Sequence, residues 1–308
     1  MGNLRKKAEK GHNSRLKPLV EQAIKEVPDF ARVYKKFCHK LTIGSYSKST
    51  VSNYTRPVAR MSLHFGKTPL DIDDDQVNEY LYEQTLSDTP SKSYFKHAVF
   101  GLRFLFRIFG QEGRAISLPS VKHDKKLPVV LSQEEMRRLL FAPNRIKQRV
   151  MFALIYSAGL RISELINLHI ADIDSDRMKI HIRKGKGEKD RYVTLSHFAL
   201  KGLRKYYDAT RPEVYLFNGV KKGTQLSRTA IRDSFQRSVK KAAILKEVCV
   251  HTLRHSYATH SIEAGMDIVT LSEQMGHANI KSTLVYLHVA QIPKSNIFSP
   301  LDLLYPKA

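Results

Sequence analysis

HTLRHSYATHSIEAGMDIVTLSEQMGHANIKSTLVYLH, residues 251–288, is the stretch on which the reading of the chain turns. It holds a His-x-x-Arg pair (His251, Arg254), a Gly-His pair (Gly276, His277) and, nine positions after that histidine, Tyr286. The spacing predicts helices: His251 and Arg254, three apart, share a face. Gly276 and His277 are expected at a helix start, with Tyr286 well inside the helix that follows. Histidine, arginine and tyrosine are the side chains needed to cut a phosphodiester without a metal, so the stretch points to chemistry on nucleic acid.

Two residues upstream belong with it. Arg161 lies in AGLRISEL, just past a glycine expected to end a helix, and Lys186 lies in KGKG, a hairpin tip where glycines let a ligand approach closely. Attack on a phosphodiester builds charge on the non-bridging oxygens, so positioning and electrostatic stabilisation do most of the work. Arg161 and Arg254 suit that task because guanidinium stays charged and forks onto phosphate oxygens. Tyr286 is the candidate nucleophile, giving a phosphotyrosyl intermediate that stores the bond energy for rejoining. A phenol with a free pKa near ~10 needs nearby cationic charge or a base, and His251 is placed to take its proton. Lys186 fits as the acid for the expelled 5′-oxygen, and His277 as a donor to a phosphate oxygen. Glu164 reads as support for Arg161 or as a helix cap; His255, His260 and His288 read as structural. The set calls for no cofactor and no metal.

Composition agrees. Lysine and arginine outnumber aspartate and glutamate by 52 to 29, a formal charge of +23, which favours a polyanionic partner. An apolar content of 42% over 308 residues is that of a globular chain with a sizeable core. Cys38 and Cys249 make no metal-ligand spacing and are expected as reduced core residues. The longest apolar run, near residues 150–160, falls short of the ~18 residues a membrane span needs. The basic N-terminus has no apolar segment behind it, so no signal peptide is read and a cytoplasmic location is expected.

The chain divides by pattern. Residues 1–27 are assigned to a basic arm, its first 17 residues without apolar periodicity. Residues 28–110 have helical period: Phe30, Val33, Tyr34, Phe37 and Leu41 form one stripe. Three further helices are expected near 50–65, 74–86 and 91–109. Pro57 should start or kink the second, and Lys96, Arg103 and Arg107 give the last a basic face. Residues 111–130, with Pro119 and Pro128, read as a linker. Residues 131–308 form a second domain, opened by Ser132 and Glu135 in capping-box spacing. Within it, residues 178–183 and 191–195 read as two strands joined by KGKGEKD, and residues from about 197 to 289 read as helical. The fold class is therefore mostly α: a four-helix N-terminal domain, then an α+β domain carrying one small antiparallel sheet.

The segments SAGLRISELINL, HIRKGKGEKDRYVTL, HTLRHSYATHSIEAG and QMGHANIKSTLVYLHV resemble the tyrosine recombinases of the phage integrase family across most of residues 131–290. The four-helix region resembles that family's SAM-like core-binding domain. The resemblance implies that Arg161 and Arg254 are the arginine pair, His251 and His277 the histidines, Lys186 the hairpin lysine and Tyr286 the nucleophile. It also implies a C-shaped clamp on double-stranded DNA, a homotetramer on inverted-repeat core sites, a 3′-phosphotyrosyl link and possible accessory proteins. Integration or excision of a mobile element is the leading role, with an Xer-like chromosome-dimer resolvase or a type IB topoisomerase as alternatives; a DNA-binding protein without catalysis is disfavoured by the complete residue set. In the tail, Ser299 and Pro300 suit a helix start, with Leu301 and Leu304 available to dock in cis or on a neighbouring protomer.

Overall fold

The computed structural model describes residues 17–86, 92–117, 127–183 and 190–291. Residues 1–16 of the arm, the hairpin tip with Lys186 and the tail with Leu301 and Leu304 lie outside the described residues. The chain divides into two compact units, residues 1–125 and 126–308.

The first unit is helical: α1 (Lys17–Glu26), α2 (Phe30–Ile43), α3 (Lys48–Phe65), α4 (Asp74–Leu86) and α5 (Lys92–Ile108). The α2 stripe is core, with Phe30, Val33, Phe37 and Leu41 fully buried and Tyr34 packed at the edge. Each such side chain contributes roughly 1.5–3 kcal/mol relative to exposure. Helix α1 corrects the assignment of residues 17–26 to an arm: it packs on α3 and buries Ala23, with Val27 just beyond it. Pro57 neither starts nor ends α3 but sits buried inside it, where it has no N–H to give the i−4 carbonyl.

The ends of the expected linker are part of the folded units. Arg114 bonds Asp74 at 2.5 Å and the Pro69 and Ile72 carbonyls, and its guanidinium lies 4.0 Å from the Phe106 ring centroid. That staples residues 111–117 to the bundle and buries Ile116. On the other side Lys246 donates to the Val130 carbonyl at 3.1 Å, and just past the linker Leu131 is buried with its N–H donating to Ser256 Oγ at 3.0 Å.

The second unit begins with α6 (Gln133–Phe141), where Ser132 and Glu135 form both bonds of the capping box. Then come α7 (Ile146–Ala158), α8 (Ile162–Asn167), β1 (Ile173–Asp174), β2 (Lys179–Ile182) and β3 (Arg191–Thr194). The three strands form an antiparallel sheet in the order β1-β2-β3, with Ile180 opposite Val193 and Ile182 opposite Arg191. Helices α9 (His197–Thr210), α10 (Arg228–Lys241), α11 (Val250–Glu263), α12 (Ile268–Met275) and α13 (Lys281–Leu284) follow, and a 3₁₀ turn over Val285–His288 closes the described part. The helical reading of residues 197–289 is broken at residues 211–227, where Pro212, Gly219 and Gly223 favour turns. Neither cysteine is core: Cys38 is half-buried and Cys249 exposed. Among the described residues no helix is long and apolar enough to cross a membrane.

Candidate active site

The site is organised around the carboxylate of Glu164. Helix α7 ends on Gly159 in the left-handed conformation (φ 60°), and Arg161 follows in extended backbone as the N-cap of α8. Three residues on, Glu164 reaches back to the Arg161 N–H at 2.8 Å. Its oxygens also take Arg161 Nη1 at 2.8 Å and both Nη atoms of Arg191 at 2.9 Å, while Arg254 Nη1 stands 3.9 Å away. Burial alone would raise the Glu164 pKa, but Arg191 and then Arg161 outweigh it and hold the carboxyl below its usual range. Glu164 therefore does both things expected of it, supporting Arg161 and capping α8.

The arginines are fixed a second time, on helix ends. Arg254 donates to the Gly159 carbonyl at the end of α7 and, at 2.6 Å, to the Met275 carbonyl at the end of α12. Arg161 Nη2 reaches the Gly276 carbonyl at 3.1 Å, and Arg191 Nε the Gln274 carbonyl at 3.0 Å. The last carbonyls of a helix lack intrahelical partners and carry the negative end of its dipole, so each guanidinium meets an unmet acceptor. Gly276 has φ 59°, and a Cβ there would fall 2.8 Å from Arg191 Nη1. It closes α12, so the expected helix start at Gly276–His277 is a helix end, because a left-handed glycine terminates a helix. Arg254 is 1% exposed; burial and then repulsion from Arg161 bring its pKa down to about 10, which leaves it charged at neutral pH.

Tyr286 is carried by the 3₁₀ turn rather than the interior of an α-helix. It is 3% exposed, in one buried cluster with Tyr257, Ala258, Ile262, Leu271 and Met275. Burial raises its pKa, against the opposing pull of Arg254 and Arg161. The hydroxyl lies 2.9 Å from His255 Nδ1. His251, expected beside the phenol, instead packs edge-on against the His255 ring at 4.6 Å between centroids. Its own side chain is exposed, and the surrounding protein, followed by Arg254 and Arg161, lowers its pKa. His277 places Nδ1 2.7 Å from Thr283 Oγ1, which orients its ring.

Arg161, Arg254, His277 and Tyr286 thus gather at the ends of α7 and α12, with His251 one helical turn from His255; Lys186 lies outside the described residues. Arg191 and His255 were not read as site residues from the sequence. Both left a signal. Arg191 occupies the same side of β3 as buried Val193, a core-facing position that an arginine fills only with a buried anion. His255 is four residues after His251 and so shares its helix face.

Similarity to known proteins follows the same division. Residues 129–292 match the model of the phage integrase family, and residues 33–112 that of the phage integrase N-terminal SAM-like domain. A tyrosine recombinase of Thermosipho africanus is 34% identical over 264 residues, covering 82% of this chain and 93% of the relative. Tyrosine recombinase XerD of Staphylococcus aureus is 36% identical over 205 residues, 63% of this chain and 68% of its own length. Among solved structures, the XerH site-specific recombinase bound to difH substrate in a pre-cleavage complex has the same fold, with a TM-score of 0.66 at 22% identity over 87% of this chain and 90% of that one. Its motifs, its SAM-like first domain and its relatives place the chain among the tyrosine recombinases of the phage integrase family, whose members cleave and rejoin DNA.

Proposed function

We propose that this chain is a site-specific recombinase that breaks and rejoins double-stranded DNA through a 3′-phosphotyrosyl link at Tyr286. The observation that carries the reading is the meeting of Arg161 and Arg254 on the carbonyls of two helix ends, with His277 and Tyr286 alongside. Held there, the two guanidiniums are preorganised for the charge that grows on the non-bridging oxygens, and no reorganisation is needed at the moment of reaction. His277 donates to the same phosphate, and Lys186 protonates the departing 5′-oxygen. The protein acts as a homotetramer on two inverted-repeat sites, for the integration or excision of a mobile element.

The test begins with a pool of nicked duplexes whose central sequence is randomised. Incubated in EDTA, wild-type protein should form detergent-resistant complexes enriched for one inverted-repeat sequence, and Tyr286→Phe should form none. Trapping that survives in Tyr286→Phe, or a recovered pool with no shared sequence, would sink the proposal. Binding to the recovered duplex should also weaken steeply with salt, because each neutralised phosphate releases counterions. With six or more phosphate contacts the loss is about 10³-fold or greater between roughly 50 and 200 mM salt. A flat titration by fluorescence anisotropy would remove the basic surface from the binding account.

A further inference from the structure

The phenol of Tyr286 is held by a histidine outside the six expected residues. Its hydroxyl is 2.9 Å from His255 Nδ1, and the two ring centroids are 5.7 Å apart. His251 lies one turn earlier on α11 with its ring against His255, so the imidazole of His255 stands between His251 and the phenol. We propose that His255, rather than His251, is the base that accepts the Tyr286 proton during strand cleavage and returns it during rejoining. The proposal rests on the reading of Tyr286 as nucleophile.

For the phenol to donate, Nδ1 must offer its lone pair, which requires the neutral ring with its proton on Nε2. Burial, then His251 and Arg254, bring the His255 pKa down to about 4, so the ring is neutral at physiological pH. The phenol, its own pKa raised by burial, arrives protonated and needs an acceptor. Among the described residues, the charged and titratable groups acting on the pair are His251 and Arg254 on α11, with Arg161 at the start of α8. A DNA phosphate brought onto Arg161 and Arg254 adds negative charge beside the imidazole, which favours its protonated form when the proton must move. In the step, the phenol proton passes to His255 Nδ1 and the phenol oxygen's electron pair forms the bond to phosphorus. The P–O5′ bond breaks, and the 5′-oxygen leaves with its electron pair and takes up the proton that Lys186 donates in the function proposed above. On rejoining, the 5′-hydroxyl returns its proton to Lys186 as its oxygen attacks phosphorus, the phosphotyrosyl bond breaks with its electron pair going to the phenol oxygen, and the imidazolium gives that oxygen its proton back.

An open groove of about 550 Å³ reaches the His255 ring past Gln236, Val248, Cys249 and Thr252, which makes the position accessible to a small base. The experiment is single-turnover cleavage of the duplex recovered from the randomised pool. His255→Ala should cleave about 100-fold more slowly than wild type, and imidazole in the buffer should restore part of the rate. Replacing Tyr286 by a fluorinated tyrosine that ionises near neutrality should shrink the His255→Ala loss to less than tenfold. His255→Gln, which keeps a polar partner for the hydroxyl but no basic nitrogen, should be as slow as His255→Ala. Full cleavage by His255→Gln overturns the proposal, as does a His255→Ala loss that neither imidazole nor the fluorinated nucleophile reduces. Trapping by Tyr286→Phe would instead overturn the nucleophile assignment itself, so the two failures are distinguishable.

Discussion

Glu164→Ala is expected to destabilise the second unit by about 3–5 kcal/mol, the cost of removing one partner from a buried ionic network. The carboxylate takes four hydrogen bonds from Arg161 and Arg191 and stands 3.9 Å from Arg254. Its side chain is 5% exposed, and those of Arg191 and Arg254 are 12% and 1% exposed. Without it, three guanidiniums are left near one another with helix-end carbonyls but no anion. Urea unfolding of the full chain, followed through the transition of the second unit, measures the loss. A difference below about 1 kcal/mol, the range of an exposed ion pair, would show that the network is no more than surface electrostatics. A second consequence separates this from simple packing. A DNA phosphate restores the missing negative charge, so duplex DNA should raise the melting temperature of Glu164→Ala more than that of wild type.

The second large effect is expected from Gly159→Ala. A left-handed residue other than glycine costs roughly 1–2 kcal/mol, and the new Cβ would lie 2.5 Å from Tyr257 Cδ1. Relieving that overlap adds about 1–3 kcal/mol. The Gly159 carbonyl is also one of the two anchors of Arg254, so the covalent trapping rate should fall even at temperatures where the variant is folded. Gly265→Ala is the control: its φ is 91°, with nothing within 4 Å of the added carbon, so backbone strain is its only cost and trapping should be unchanged. Equal stability and equal trapping in the two variants would mean that the contact between Gly159 and Tyr257 positions nothing.

Much of the fold is legible as pattern. The stripe from Phe30 to Leu41 is read directly because burial repeats with the helical period, and each of its four core residues loses all exposure. The start of α6 is read from Ser132 and Glu135 because capping is a local interaction. Helix α1 has a stripe of its own, Leu19, Val20, Ala23 and Val27, but it is only ten residues long and directly follows the basic stretch, so its pattern is absorbed into the arm; packing on α3 is what shows it as core. The break at residues 211–227 is missed because its glycines and proline lie between two strongly helical segments.

The candidate active site shows the same limit. Residue types and order in the sequence nominate Arg161, Lys186, His251, Arg254, His277 and Tyr286 as candidates, because the proposed phosphoryl transfer needs fixed positive charge and a nucleophile wherever the fold places them. Which histidine faces the phenol, and what holds the arginines, are decided by tertiary structure alone. His251 and His255 share one helix face and differ only in which of them the 3₁₀ turn bearing Tyr286 meets. The helix-end carbonyls at Gly159, Gln274, Met275 and Gly276 become cation sites only when α7 and α12 terminate side by side around Glu164. The physical reason is that charge and reactivity are properties of a side chain and can be read from its identity, whereas hydrogen-bond pairing and desolvation depend on distances between segments remote in sequence.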